Sequence, residues 1–156
     1  MQPDLFKLCA ARLEDLETLL DLYQHLTPGD ERPGPDLAAG IFQRICASPG
    51  SAIFIVTLDG IAVASCTLIV SPNLTRGGRP FGLIENVVTH ADYRGRGLGK
   101  RLLAAASEAA WDAGCYKLML MTGSRSPAVL GFYQSAGFEP SKTGFQKRRL
   151  PPRADV

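Results

Sequence analysis

The chain has 156 residues, 46% of them hydrophobic, with 17 basic side chains against 15 acidic ones and a formal net charge of +2. That length suits one domain with a proper core, and the ordinary apolar fraction and small charge exclude a disordered chain and a general nucleic-acid binder. No apolar run reaches membrane-spanning length, and the mixed N-terminal segment around Asp4 does not read as a signal peptide. Four scattered cysteines (Cys9, Cys46, Cys66 and Cys115) form no C-x-x-C pair, which predicts buried free thiols and a reducing, cytoplasmic setting. With only His25 and His90 available, no metal is expected.

In chain order, residues 5–10 read as a first strand. Leu13, Leu16, Leu20 and Tyr23 then recur at helical spacing, with Glu14 and Asp15 at the positive N-terminal end. The segment 27–35, TPGDERPGP, is a loop by its prolines and glycines. Its acidic pair, Asp30 and Glu31, either faces a cationic substrate or is a solvated tip. A second helix is predicted over 36–47. Strand-like runs at 52–58 and 61–70 flank Asp59-Gly60, a strong hairpin signal. The turn-rich connection 73–80 leads antiparallel into a central strand at 82–89. A long helix with a stripe through Leu98, Leu102, Ala105 or Ala106, Ala109 and Ala113 ends at Gly114. The strand at 116–121 returns after that helix and so runs parallel to the central one. Ser126-Pro127 opens a last helix with the apolar face Val129, Phe132, Tyr133 and Ala136. One or two final antiparallel strands are predicted over 138–150, and a frayed tail from Pro151. The expected organisation is a single domain over 1–150 with a tail at 151–156.

Between the central strand and the long helix lies Arg94-Gly95-Arg96-Gly97-Leu98-Gly99-Lys100. Glycines let backbone approach a ligand closely, and the first N–H groups of a helix have no internal acceptor. With Arg94, Arg96, Lys100 and Arg101 at the same place, this turn suits a phosphate. A Walker loop is excluded because Arg101, and not Ser or Thr, follows Gly99-Lys100. The dinucleotide fingerprint is excluded because its third glycine falls on Lys100. Arg94-x-x-Gly97-x-Gly99 resembles the pyrophosphate loop of the GNAT superfamily of acyl-CoA-dependent N-acyltransferases. The element order β-α-α-β-β-β-α-β-α-β is similar to that fold, and Phe132-Tyr133-Gln134-Ser135-Ala136-Gly137-Phe138 looks like its closing signature.

The resemblance implies an α/β (α+β) GNAT fold: a mixed, mostly antiparallel sheet whose parallel β4/β5 pair is splayed for coenzyme A. It implies acetyl-CoA as co-substrate, held by Arg94, Gly95, Arg96, Gly97, Leu98, Gly99 and Lys100. Pantetheine would run along Asn86 to Val88, and an N–H near Val87 or Val88 would polarise the thioester. Tyr133 is the candidate acid for the leaving thiolate, because a phenol stays protonated where a thiol begins to ionise; otherwise it is a core aromatic. Glu85, set in an otherwise apolar strand, is the candidate base if partial burial raises its pKa, or else a structural carboxylate. His90 is a second candidate base.

The chain most resembles the glucosamine-6-phosphate N-acetyltransferase subgroup, through Ile84-Glu85-Asn86-Val87-Val88, Gly114-Cys115-Tyr116-Lys117-Leu118 and Gln146-Lys147-Arg148-Arg149-Leu150. That subgroup typically has Asp where Asn86 stands. The expected reaction is acetyl transfer to a primary amine of a small molecule such as an amino sugar phosphate. Asn86, Asp30 and Glu31 are its candidate substrate contacts, and Arg125, Lys142 or Lys147 its candidate phosphate contacts. The alternatives are acetylation of a protein or peptide amine and a non-catalytic acyl-CoA sensor. The acceptor is expected to be set mainly by the 27–35 and 73–80 segments. Neither nucleic acid nor membrane is an expected partner, and exposed strand edges near the C-terminus together with the resemblance predict a homodimer.

Overall fold

Strands β1 (Lys7–Ala10), β2 (Ala52–Leu58), β3 (Ile61–Ser71), β4 (Phe81–Thr89) and β5 (Leu118–Leu120) lie side by side in chain order. The first four pair antiparallel and β5 joins β4 parallel, as the long connecting helix demands. This is a computed structural model in which residues 5–151 are described. They fall into two units, which divide between Leu120 and Met121. The predicted β2–β3 hairpin is present. Asp59 and Gly60 take φ of 51° and 80°, the two positive values a tight hairpin turn needs.

In the first unit, helices cover both faces of the sheet. A short 3-10 turn at Leu13–Asp15 leads into α1 (Leu16–Tyr23), and α2 (Pro35–Ala47) follows. Leu19 and Leu22 of α1 and Phe42 of α2 pack with Ile53, Ile55, Ala62 and Val88 from the sheet. Helix α3 (Leu98–Asp112) lies on the opposite face, where the Cys66 thiol reaches the Leu102 carbonyl at 3.9 Å. It buries Leu98, Leu102, Leu103, Ala106 and Ala110. Leu103 and Ala110 thus replace the expected Ala109 and Ala113, so the stripe is turned slightly around the helix. Each buried leucine contributes about 1.5–3 kcal/mol, which seats the start of α3 firmly against the sheet. A Cβ at Gly82, where β4 meets β5, would stand 2.7 Å from the end of the Leu118 side chain, which would have to shift.

The second unit contains α4 (Pro127–Ser135), with Ser126 and Pro127 at its start as predicted. Val129, Phe132, Tyr133 and Ala136 are its half-buried positions. The predicted final strands are corrected: 138–150 contains no strand among the described residues. Between Phe138 and Leu150 the only large apolar side chain is Phe145, and it is 92% exposed. Three consecutive cations, Lys147, Arg148 and Arg149, follow it. Such a segment has no apolar face to bury, and a strand without one has little to hold it.

The prediction of buried thiols holds for Cys66 and Cys115 and fails for Cys9 and Cys46, which are exposed. Cys9 lies on the edge strand β1, which pairs with β2 alone, and Cys46 lies at the end of α2.

Candidate active site

The ladder between β3 and β4 slips at one point. Thr67 faces Glu85 and Ser65 faces Val88, so Asn86 and Val87 together oppose Cys66 alone. This is a β-bulge, which takes backbone groups out of the ladder and bends the strand. Asn86 carries it with φ of 53°, a left-handed conformation that asparagine and aspartate tolerate best among non-glycine residues. Aspartate tolerates the same conformation, so Asn86 carries the bulge as an aspartate would, without its charge. The parallel ladder ends at the Ile84–Leu120 pair. Beyond it, Glu85 to Thr89 continue with β3 as their paired strand among the described residues. A pantetheine arm would need the backbone of this stretch on the side away from β3.

Eight residues past Asn86, the chain enters the 94–100 turn. Gly97 is the N-cap of α3 with φ of 76°, and Gly95 has φ of 74°. A Cβ built on either meets no atom within 4 Å, so the space in front of the turn is open. The first helical bond runs from the Arg101 N–H to the Gly97 carbonyl at 3.1 Å. The N–H groups of Leu98, Gly99 and Lys100 are thus left without helical acceptors, at the end where the helix dipole favours an anion. Arg94, Arg96 and Lys100 are exposed there. Arg94 Nε donates to the Thr89 carbonyl at 3.3 Å, tying the turn to the end of β4, and Arg96 lies 5.2 Å over the Tyr93 ring. Leu98 and Val88 bury their side chains in the core, so each offers a ligand only its backbone. These groups fit the diphosphate of a coenzyme A thioester.

Thr67, Glu85, Ser65 and Val88 are direct cross-strand partners and therefore share the α1 face of the sheet. Glu85 is exposed, which corrects the expectation of partial burial. Its place on β4 is just past the last β5 pair, where among the described residues only β3 pairs with the strand. On the same face, burial pushes the Tyr23 phenol above its ordinary range, against an opposing pull from Thr67 and Ser65. His25, just past α1, stacks on His90 at the end of β4 with ring centroids 3.9 Å apart. Burial first, and then His90 and Arg94, hold its imidazole below the usual value. His90 Nδ1 accepts from the Asp92 N–H, so this imidazole caps the turn after β4.

Asp30 and Glu31 are exposed in the loop that leaves α1. The 73–80 connection lies before β4, at the opposite end of that strand from the 94–100 turn. The first unit thus brings the turn, the bulge, Glu85, Asn86, Val87 and Val88 onto one strand–turn–helix segment. Tyr133, on α4, belongs to the second unit, as do the exposed Arg125, Lys142 and Lys147. The sequence reading missed the bulge. Its signal was an asparagine inside a run of β-branched residues, where a regular strand disfavours it. Among the described residues no three His, Cys, Asp or Glu side chains come together as metal ligands, and no helix is long and apolar enough to cross a membrane.

A bulged strand running into a glycine-rich basic turn at a helix start fits an acyl-CoA-dependent transferase. The chain belongs to the acetyltransferase (GNAT) family, whose model matches residues 16–138. The glucosamine 6-phosphate N-acetyltransferase of Trypanosoma brucei brucei is 39% identical over 124 residues, 80% of this chain and 82% of that protein. A solved chain from Agrobacterium tumefaciens str. C58, a candidate acetyltransferase, matches with a TM-score of 0.85 at 48% identity, covering 92% of this chain and 99% of that one. The glucosamine-6-phosphate N-acetyltransferase of Arabidopsis thaliana matches with a TM-score of 0.84 at 21% identity, covering 93% and 99%, a likeness of fold alone. The protein is an acetyl-CoA-dependent N-acetyltransferase.

Proposed function

We propose that the acceptor is an amino sugar phosphate, with glucosamine 6-phosphate as the substrate to test first. The observation that carries this reading is the 39% identity to the trypanosomal relative of that name, which extends over most of both chains. The bulge that Asn86 carries keeps the strand's local geometry, while the acidic side chains for the amine are left to Glu85, Asp30 and Glu31.

Acetyl-CoA supplies an activated acyl group, and the chain's own residues do the rest. The N–H groups at the start of α3, with Arg94, Arg96 and Lys100, hold the diphosphate. An N–H of Val87 or Val88, freed near the bulge, stabilises the oxyanion that develops at the thioester carbonyl. Glu85 takes a proton from the ammonium through a water, as its exposed position allows, and the free amine then forms the new C–N bond. As the C–S bond breaks, Tyr133 donates its phenolic proton to the departing sulfur, and the second proton lost by the acylated nitrogen restores the phenol. Asp30 and Glu31 attract the cationic acceptor, and Arg125, Lys142 or Lys147 meets its phosphate. Incubation with acetyl-CoA and glucosamine 6-phosphate, followed by free-thiol release, tests the reading. Thiol release with other amines but not with this one contradicts it.

We also propose a homodimer. Strand edges at the C-terminus do not support it, because 138–150 is not a strand. Support comes from the exposed apolar pair Leu37 and Ile41, four residues apart on α2, and from exposed Trp111 on α3. Light scattering at micromolar concentration checks this, and a monomeric mass contradicts it.

A further inference from the structure

The loop that leaves α1 is tied at both ends. At its start, the Thr27 N–H and Oγ1 both donate to the Tyr23 carbonyl, at 2.9 and 3.2 Å, and the Asp30 N–H donates to the Thr27 carbonyl at 3.1 Å. At its far end, Arg32 reaches back to α1. Its Nη1 donates to Asp21 Oδ1 at 2.5 Å, and its Nη2 donates to Glu17 Oε2 at 2.6 Å and to the Glu17 carbonyl at 3.4 Å. Glu17 and Asp21 stand four residues apart on one face of the helix, where two carboxylates repel each other. A planar guanidinium set between them bonds both at once, which the point charge of a lysine ammonium does not reproduce.

The two ties leave Pro28, Gly29, Asp30 and Glu31 as a short closed tip. Helix α1 packs on the sheet face that carries Glu85, and His25, between α1 and the loop, stacks on His90 at the end of β4. The helix to which Arg32 ties the tip is thus itself fixed against the reacting strand.

We propose that Arg32 is a positioning residue for the acceptor amine: it latches the 27–35 loop to α1 and so presents Asp30 and Glu31 to a cationic substrate. It acts through the loop and does not itself contact the acceptor. The inference rests on the reading above that this loop receives the amine.

The test is steady-state kinetics with glucosamine 6-phosphate and acetyl-CoA. Arg32→Ala raises KM for the amine about fivefold to tenfold, changes kcat less than about twofold, and leaves KM for acetyl-CoA unaltered, which also reports an intact fold. Arg32→Lys gives a similar loss, because its charge is kept and its fork is not. The double variant Glu17→Gln with Asp21→Asn reproduces the rise, although neither residue belongs to the loop. An unchanged amine KM in Arg32→Ala overturns the proposal. So does a lower KM in the double variant, since an arginine released from its carboxylates to bind the substrate phosphate directly is a ligand and not a latch. If the wild-type protein transfers acetyl groups to other amines and not to this one, the substrate reading fails, and repeating the comparison on the accepted amine decides the latch separately. If it transfers to none, both readings fall.

Discussion

Replacing Gly97 by alanine isolates the phosphate turn from the rest of the fold. The new Cβ meets no atom within 4 Å, so the free protein suffers no steric clash. It does incur the strain of holding a non-glycine residue at φ of 76°, about 1–2 kcal/mol. For a domain of this size that lowers Tm by roughly 2–8 °C. Binding suffers differently, because the methyl group occupies the open space in front of the N–H groups of Leu98, Gly99 and Lys100. Displacing the diphosphate from one or two charge-assisted hydrogen bonds, each worth about 1.5–3 kcal/mol, weakens coenzyme A binding by roughly tenfold to ten-thousandfold. Gly60→Ala is the matched control. Gly60 has φ of 80° at the β2–β3 hairpin, its added Cβ also meets nothing within 4 Å, and it is remote in the chain from the turn. Calorimetric titration with coenzyme A compares the two variants. Similar Tm losses with a large affinity loss confined to Gly97→Ala is the expected pattern. Equal affinity in both variants refutes the placement of the diphosphate.

Tyr133→Phe should lower kcat by on the order of a hundredfold with little change in acetyl-CoA affinity; turnover within about threefold of wild type removes Tyr133 from the proton-donor role. In the native protein, a thiol reagent should modify the exposed Cys9 and Cys46 well before Cys66, whose thiol burial pushes up to about 12. Rapid labelling of Cys66 without unfolding contradicts the buried β3–α3 interface. His25 is held below the ordinary imidazole value by burial, His90 and Arg94, against an opposing effect of Asp92, so the folded state binds fewer protons than the unfolded one. Its contribution to stability is therefore full above the unfolded pKa of about 6.5 and declines as pH falls below that value toward the lower folded one. Wild type should lose more Tm than His25→Gln between about pH 7.5 and 5.5, and parallel losses contradict the assignment.

Much of this architecture is legible because local chemistry and global fold agree. Asp59-Gly60 takes the turn its residues prefer, the glycines of the 94–100 segment take the positive φ that glycine permits, and β5 runs parallel because a helix precedes it. What escaped sequence reasoning depends on partners far along the chain. The bulge at Asn86 exists only relative to the register of Ser65 and Thr67 on β3. Whether Glu85 is buried depends on where β5 stops, and β5 is three residues long where six were expected. The final strands were inferred from element order, and the composition of 138–150 could not sustain them. The latch by Arg32 was hidden for the same reason: Glu17 and Asp21 look like ordinary solvated charges until the loop folds back on them.

The central claim is that this chain moves an acetyl group from acetyl-CoA to the amine of glucosamine 6-phosphate. The most direct measurement follows both products at once, free coenzyme A by thiol titration and the acetylated sugar phosphate by NMR. The account predicts the two in equal amounts, at a rate that falls sharply in Gly97→Ala and Tyr133→Phe. Coenzyme A release without an acetylated sugar phosphate, or tight acetyl-CoA binding with no transfer to it, contradicts the account.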